Sequence, residues 1–560
     1  MTNDSVENIH KEFPRGNARI TMGLLFLIVI MGIFFRFYHL KNVFTEVDDV
    51  GVVTAHRAVT TDYVLKKNIG SFDVEIIIKK EFLLNLLESP LFFAYLGYAW
   101  AYPPGQYIVY PLLLDESDPF YSKIVLGRAP SAILSSTSLV LFVYLLFLIN
   151  NRKIDASFLI PTAIFSFSFN SVLYAHHMGP TSVTVTTLLI SIILFFKLKN
   201  NIKKISSFFM WLGVLTWFNY LMIIAVPIFA LLLIIRFKIF SIKEILLSFY
   251  RSVLVYLFLF VPLWVLFFKP GEGGGRGMGP LPMSAVGMTA YLNHLFQKFS
   301  VAGASVFASF SLVRDVNQFV FVFLLILGMF ILITRYRSLG ESKYIYMFLI
   351  LYLCIWVVLY CFNRLPMEPS RHVLIWLPGV AMILYLVVSR MQQGPIFHWI
   401  LLIPLIVFGG FYNHKNITDR LSKFDFSAIE NSSVETVILY GGTVNPIVYF
   451  ENDKKILSLD KRSFSGSFNE ISFPDRMLLV AQVASLEVYK SWKSVYWVNN
   501  LFDQYEIVSA REDVSNVFFT FDNVRINSMP NNFFIYEVKK RQVIKPFQAD
   551  IMSPSTVLAQ

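Results

Sequence analysis

At 560 residues the chain could hold three or four soluble domains, yet 56% of it is apolar, only 15% is charged, and 56 residues are phenylalanine. A water-soluble domain carries roughly 25% charged residues, so a soluble multidomain enzyme, a disordered chain and a disulfide scaffold are all excluded. The net charge of +11, from 48 Lys and Arg against 37 Asp and Glu, does not indicate nucleic acid. The basic residues sit in short breaks between apolar runs, which is the positive-inside pattern of a polytopic membrane protein.

A membrane helix needs about 20 mostly apolar residues. The first run, 20–37, follows Lys11, Arg15 and Arg19, which places the N-terminus in the cytoplasm. It has no small-residue cleavage site and reads as an uncleaved helix. Further runs occupy 126–149, 157–174, 181–196, 252–268, 318–334, 344–362, 373–389 and 395–412. The run 344–362 contains both cysteines, Cys354 and Cys361, which read as small hydrophobes sharing a helix face.

Segment 206–235 is basic on both flanks, with Lys197, Lys199, Lys203 and Lys204 before it and Arg236, Lys238 and Lys243 after it. It must cross twice or not at all, and its length fits two short helices turning near Phe218-Asn219-Tyr220. The expected fold is a polytopic α-helical membrane protein with about eleven transmembrane helices. On that count the inner breaks 150–155, 197–204, 236–251, 335–343 and 390–394, with the N-terminal segment, hold 17 Lys and Arg. The outer turns 175–180 and 219–222 hold none.

Three longer segments then fall outside. The first, 38–125, contains apolar stretches at 82–100 and 107–114. Counting either as a span would reverse every later loop, so both are expected to lie along the interface. The second, 269–317, carries the run Gly271-Glu272-Gly273-Gly274-Gly275-Arg276-Gly277, a flexible loop by composition. This run reads as a mobile cover or as an unstructured linker. It lacks the Gly-Lys-Ser/Thr ending of a phosphate-binding loop. The third segment is the tail. Short β-rich runs at 434–440, 477–483, 495–498, 517–521 and 533–538, separated by amphipathic stretches such as 485–493, predict a C-terminal extracytoplasmic α/β domain. The chain therefore divides into a transmembrane module, 1–412, and a tail domain, 413–560.

Chemistry can gather where the first helix ends. The sequence there reads Phe35-Arg36-Phe37-Tyr38-His39-Leu40 and then Phe44-Thr45-Glu46-Val47-Asp48-Asp49. Three carboxylates within four residues can supply a general base or bind a divalent cation, and a solvated acidic loop is the plain alternative. Further along stand Pro103-Pro104-Gly105-Gln106-Tyr107, Arg128-Ala129-Pro130-Ser131-Ala132, and Arg371-His372 followed by Leu377-Pro378.

This succession, over about residues 20 to 412, resembles the GT-C class of membrane glycosyltransferases. It is most similar to the branch holding protein O-mannosyltransferases and the bacterial lipid A aminoarabinose transferase. In that branch an Arg-Leu-Tyr-like helix end, an acidic pair, a Pro-Pro element, an Arg-Leu-Pro-Ser-Ala motif opening the second helix and a late Arg-Tyr-like motif occur in this order. Two departures stand out. Ala101-Tyr102 precedes Pro-Pro where the family often has His or Glu-Lys. After the third helix the family commonly has an acidic turn, and here the chain reads Tyr174-Ala175-His176-His177-Met178-Gly179. The two histidines can donate to a phosphate or cap a helix.

The resemblance implies a sugar donor on a polyprenyl phosphate whose tail lies between helices, and a hydroxyl-bearing acceptor. Asp48 would take the acceptor proton as the anomeric carbon is attacked with inversion, and Asp49 would orient the acceptor or share the site. Arg371, near Arg364, would bind the leaving phosphate, with snorkelling at a helix end as its alternative. His372, His176, His177 and Tyr102 complete the substrate-binding candidates, although Tyr102, like Tyr107, reads first as packing. Arg128 reads first as structural or lipid-facing. No cofactor is required, and a divalent cation, if used, would fall to Glu46, Asp48 and Asp49, with no second acidic motif to support it. The expected site of action is the outer face of a plasma membrane. The rival expectation is a transporter or flippase, against which stand the absence of mid-span charge and of two matching halves.

Overall fold

The computed structural model describes residues 15–40, 63–69, 72–78, 120–176, 181–218, 221–238, 242–250, 287–307, 310, 314–362, 371–390, 395–421, 429, 431–440, 455–459, 474–483, 504–514, 520–521, 524–525 and 532–541. The chain forms two compact units, residues 1–422 with 517–528 and residues 423–516 with 529–560.

The first unit is built of helices: α1 (Arg15–Phe37), α2 (Phe120–Ile149), α3 (Leu159–Phe167), α4 (Phe169–Ala175), α5 (Thr181–Lys197), α6 (Ile202–Phe218), α7 (Met222–Phe237), α8 (Ile242–Phe249), α9 (Met288–Ala304), α10 (Arg314–Thr334), α11 (Lys343–Cys361), α12 (Leu377–Val388) and α13 (Pro395–Leu421). Every predicted apolar run except 252–268, which lies outside the described residues, is helical. The doubly flanked segment is a helical hairpin, with α6 ending at Phe218 and α7 beginning at Met222. On length and composition, four described helices can cross a membrane, and a fifth if α3 and α4 form one bent span; α5, α7, α12 and part of α13 are shorter apolar helices. Several keep an apolar face uncovered, as α10 does with Ile326, Phe330 and Ile333. Water would not tolerate such a face over the length of a helix, and lipid does. The chain is an integral membrane protein.

Small residues set the helix spacing. A Cβ on Gly32 of α1 would stand 2.8 Å from Ser166 Cβ in α3, and one on Gly409 of α13 would stand 2.7 Å from Phe167 Cβ. Helices α1 and α13 therefore close on the same short helix from two sides. Hydroxyls join α2 to α5: Ser138 and Thr186 are hydrogen-bonded at 2.7 Å, and Thr186 also donates to the Leu134 and Ser182 carbonyls. Elsewhere aromatic rings fill the core, for instance Phe229 stacked on Phe348 and Trp356 set edge-on to Trp376.

Three differences from the sequence expectations concern these helices. The third span is broken, with α3 and α4 meeting at 48°. Arg128 does not open the second helix, because α2 begins at Phe120 and Arg128 lies two turns inside it. The segment 269–317, expected as a loop, contains the 17-residue helix α9, while the glycine run 271–277 lies outside the described residues.

Segment 38–125 holds an antiparallel pair, β1 (Tyr63–Ile69) and β2 (Phe72–Ile78). The apolar stretches 82–100 and 107–114 lie outside the described residues. A short antiparallel pair, β7 (Thr520–Phe521) and β8 (Val524–Arg525), belongs by its contacts to the first unit.

The second unit is a five-stranded mixed sheet in the order β4-β3-β5-β9-β6. Its strands are β3 (Thr436–Tyr440), β4 (Lys455–Leu459), β5 (Arg476–Val483), β6 (Tyr505–Val514) and β9 (Asn532–Lys540). Strand β3 pairs parallel with β4 and β5, while β9 pairs antiparallel with β5 and β6. Val437, Met477, Leu478 and Val538 are buried, as apolar β-rich runs require. The stretches 485–493 and 495–498 lie outside the described residues. Helix α13 runs on to Leu421, nine residues past the sequence-based division at 412.

Candidate functional site: the end of the first helix

The site begins with a charge in an apolar helix. Arg36 lies in the last turn of α1 and is fully buried. A buried guanidinium is tolerable only if its donors are satisfied, and here all five N–H groups have acceptors. Nε donates to Ser135 Oγ at 2.9 Å, Nη1 to the Gly32 and Ser166 carbonyls at 2.6 and 3.0 Å, and Nη2 to the Phe165 carbonyl at 3.3 Å and Ser171 Oγ at 2.7 Å. Each acceptor is neutral.

Two of them exist because the third span is broken. Ser168, at φ −55° and ψ 121°, leaves the helical region, so the carbonyls of 165–167 lose their helical partners. Arg36 takes Phe165 and Ser166, and Asn413 of α13 donates to Phe167 O at 2.9 Å. The break is thus closed by side chains from α1 and α13.

At the end of α1 the chain leaves the helix through His39, whose φ of 56° is left-handed. This strands the last carbonyls of α1. His176, the residue that ends α4, brings its Nε2 to 2.9 Å from Phe35 O. Arg128, only 1% exposed, reaches the Leu40 carbonyl with Nη1 at 3.5 Å. On the other side the Tyr38 ring packs against His39 and against His414 of α13. Residues 36, 39, 128, 176 and 414 therefore meet where α1 ends, and all five are arginine or histidine.

These neighbours determine the state of His176. Burial, joined by the charges of Arg128, Arg36 and His39, pushes its imidazole down to about 4, against the opposing effect of the Phe35 hydrogen bond. The ring is neutral at physiological pH.

Of the residues singled out from sequence, His176 is brought into this cluster, where it caps α1. Arg128, first read as structural or lipid-facing, is buried in it. Arg36, quoted only as part of the helix end, is its fullest hydrogen-bonding centre. The signal for Arg36 was present, because a charged residue inside an apolar span demands partners. Arg371 and His372 begin the 3-10 turn Arg371–Trp376 that leads into α12; their side chains, and the residues Glu46, Asp48, Asp49, Tyr102, His177 and Arg364, lie outside the described set. Among the described residues no three His, Cys, Asp or Glu side chains gather as a metal site.

No family model matches the sequence. No curated protein matches it either. Among solved structures the chain is similar to ArnT from Cupriavidus metallidurans bound to undecaprenyl phosphate, with 8% identity, 93% of this chain and 98% of that chain covered, and a TM-score of 0.36. It is also similar to the Archaeoglobus fulgidus oligosaccharyltransferase in complex with Zn and sulfate, with 11% identity, 86% and 71% covered, and a TM-score of 0.41. Both are GT-C glycosyltransferases, the class that the sequence motifs resemble. At TM-scores below 0.5 the shared course of the chains is loose, and neither neighbour supplies a residue role to this protein.

Proposed function

We propose that the protein is a membrane glycosyltransferase that moves a sugar from a polyprenyl-phosphate donor to a hydroxyl acceptor on the outer face of a plasma membrane, with inversion. In this reading the chain crosses eleven times, begins in the cytoplasm and carries its C-terminal α/β domain outside. Asp48 is the general base, and Asp49 orients the acceptor. Arg371 and Arg364 receive the leaving phosphate, with His372 and Tyr102 beside the substrate. Glycosyl transfer passes through an oxocarbenium-like state, so a carboxylate at the anomeric centre also stabilises the developing positive charge. No cofactor is required.

The observation that carries the reading is the convergence at the end of α1. Arg128 and His176 are 92 and 140 residues beyond Arg36 in the chain, yet they meet where α1 hands over to the segment holding Glu46, Asp48 and Asp49. An electropositive cluster at the point from which the chain leads on to three carboxylates suits a reaction that takes a proton from a hydroxyl and releases a phosphate.

The transporter reading has one feature in its favour, the broken third span, since broken helices often hold ions in transporters. Here the carbonyls freed by the break are occupied by Arg36 and Asn413, so they are not open to an ion. The Asp48→Asn variant tests the transferase reading. In isolated membranes it should lose sugar transfer from endogenous lipid-linked donors at undiminished expression; undiminished transfer overturns the mechanism.

A further inference from the structure

The hydrogen bond between His176 and Phe35 fixes the direction in which the imidazole can act. A carbonyl oxygen only accepts, so Nε2 must carry the ring proton. The opposite nitrogen, Nδ1, then presents a lone pair in the neutral ring. Nδ1 is fully buried and has no hydrogen-bond partner among the described residues. A buried acceptor left unmade carries a desolvation cost, which a donor entering the site would recover.

The surroundings select the kind of donor. His176 is held to α1 by its hydrogen bond to Phe35 O and lies within electrostatic reach of Arg36 and His39 and of Arg128 in α2. An ammonium or guanidinium would add another cation to this group. A phosphate oxygen offers no proton to Nδ1. An alcohol donates a proton and brings no charge.

We infer that His176 Nδ1 accepts a hydrogen bond from a hydroxyl group of the glycosyl substrates, making it a hydroxyl-recognition contact. This inference rests on the transferase reading above and refines it. Of the two roles the sequence left open for this histidine, the cap of α1 is filled by Nε2, and the phosphate-donor role is replaced by hydroxyl recognition at Nδ1. The ring binds through its lone pair and transfers no proton.

Two variants and one spectrum test it. His176→Gln keeps an amide N–H for Phe35 O and an oxygen that can accept, whereas His176→Leu keeps neither. Transfer from endogenous lipid-linked sugars is measured in membranes and normalised to folded protein, with Asp48→Asn alongside. The expected result is a fall on the order of tenfold per folded molecule for His176→Leu, the size of one hydrogen bond, with most of the rate retained in His176→Gln. If Asp48→Asn abolishes transfer but His176→Leu turns over at the wild-type rate per folded molecule, Nδ1 meets no substrate hydroxyl and the inference is overturned. If Asp48→Asn is itself fully active, the transferase mechanism has failed instead.

Should His176→Leu not fold, ¹⁵N-histidine spectra of the wild-type protein in bilayers decide, with His176→Gln identifying the signal. An unprotonated Nδ1 at neutral pH that shifts when membranes carrying the endogenous lipid-linked sugars are fused in supports the contact. A protonated Nδ1, or one that does not respond, contradicts it.

Discussion

Arg36 and His176 show how single residues organise the end of the first helix. Replacing Arg36 with leucine would strand the Phe165 and Ser166 carbonyls, at about 1–3 kcal/mol for each buried acceptor. Arg36→Leu should therefore unfold at a clearly lower temperature in detergent. Arg36→Lys should not restore the wild-type value, because an ammonium cannot serve five acceptors spread over four helices. An equal melting temperature for Arg36→Lys and wild type would contradict the role assigned to the guanidinium.

His176 makes a pH prediction. Its imidazole titrates near 4 in the fold, against 6.5 when free. Between those values the unfolded chain binds more protons, so the contribution of this group is complete above pH 6.5 and declines as pH falls towards 4. Melting curves of the wild type should drop across that window. Those of His176→Gln should drop less, and parallel curves would contradict the buried neutral ring. Sequence alone could raise the capping role of His176 but could not choose it, since its partner Phe35 is 141 residues away.

The helices were legible wherever charge bracketed an apolar run, because the bilayer length and the positive-inside bias act locally on sequence. The pair α6–α7 followed from its basic flanks, with α6 ending at Phe218 and α7 beginning at Met222. The break between α3 and α4 was not legible. The stretch Phe165-Ser166-Phe167-Ser168-Phe169 has neither proline nor glycine, and the partners that make the break tolerable come from α1 and α13. Tight packing around that break gives an element-scale prediction. Gly409→Ala would push a methyl against Phe167 and Phe310, and overpacking of this kind costs about 1–3 kcal/mol. A melting temperature equal to that of wild type would show that α13 can move away freely.

A contrasting prediction concerns Arg236 at the end of α7. It pairs with Glu341 at 2.6 Å and also donates to the Phe195 and Phe196 carbonyls at the end of α5. Glu341 is 58% exposed, so Glu341→Gln should cost less than about 1 kcal/mol. Arg236→Ala should cost more, since it uncaps α5 as well. Equal losses in chemical denaturation would contradict that division.

For the whole molecule, composition excluded water as the only solvent, and the arrangement of charge predicts an orientation. Strand pairing in the second unit was legible only in part. Strands β3, β5 and β9 coincide with predicted β-rich runs, but β4 and the long β6 were missed. Strand β6 carries Glu506, Ser509, Arg511, Glu512 and Asp513 among its ten residues, so its place at the edge of the sheet, paired only with β9, is set by tertiary partners and not by a hydrophobic run. Orientation can be checked in a background with Cys354 and Cys361 replaced by alanine. A cysteine at exposed Val508 should react with a membrane-impermeant reagent on intact cells, while one at exposed Ser338 should react only after permeabilisation. The reverse pattern would invert the topology and move the α1 end to the cytoplasmic face.

The proposed activity is transfer of a sugar to an envelope acceptor at the end of the first helix. Its most direct measurement is the mass spectrum of envelope glycans from cells lacking the protein, complemented with the wild type or with Asp48→Asn. Deletion should remove one glycan mass, which the wild type restores and Asp48→Asn does not. An unchanged glycan profile on deletion, or full restoration by Asp48→Asn, would contradict it.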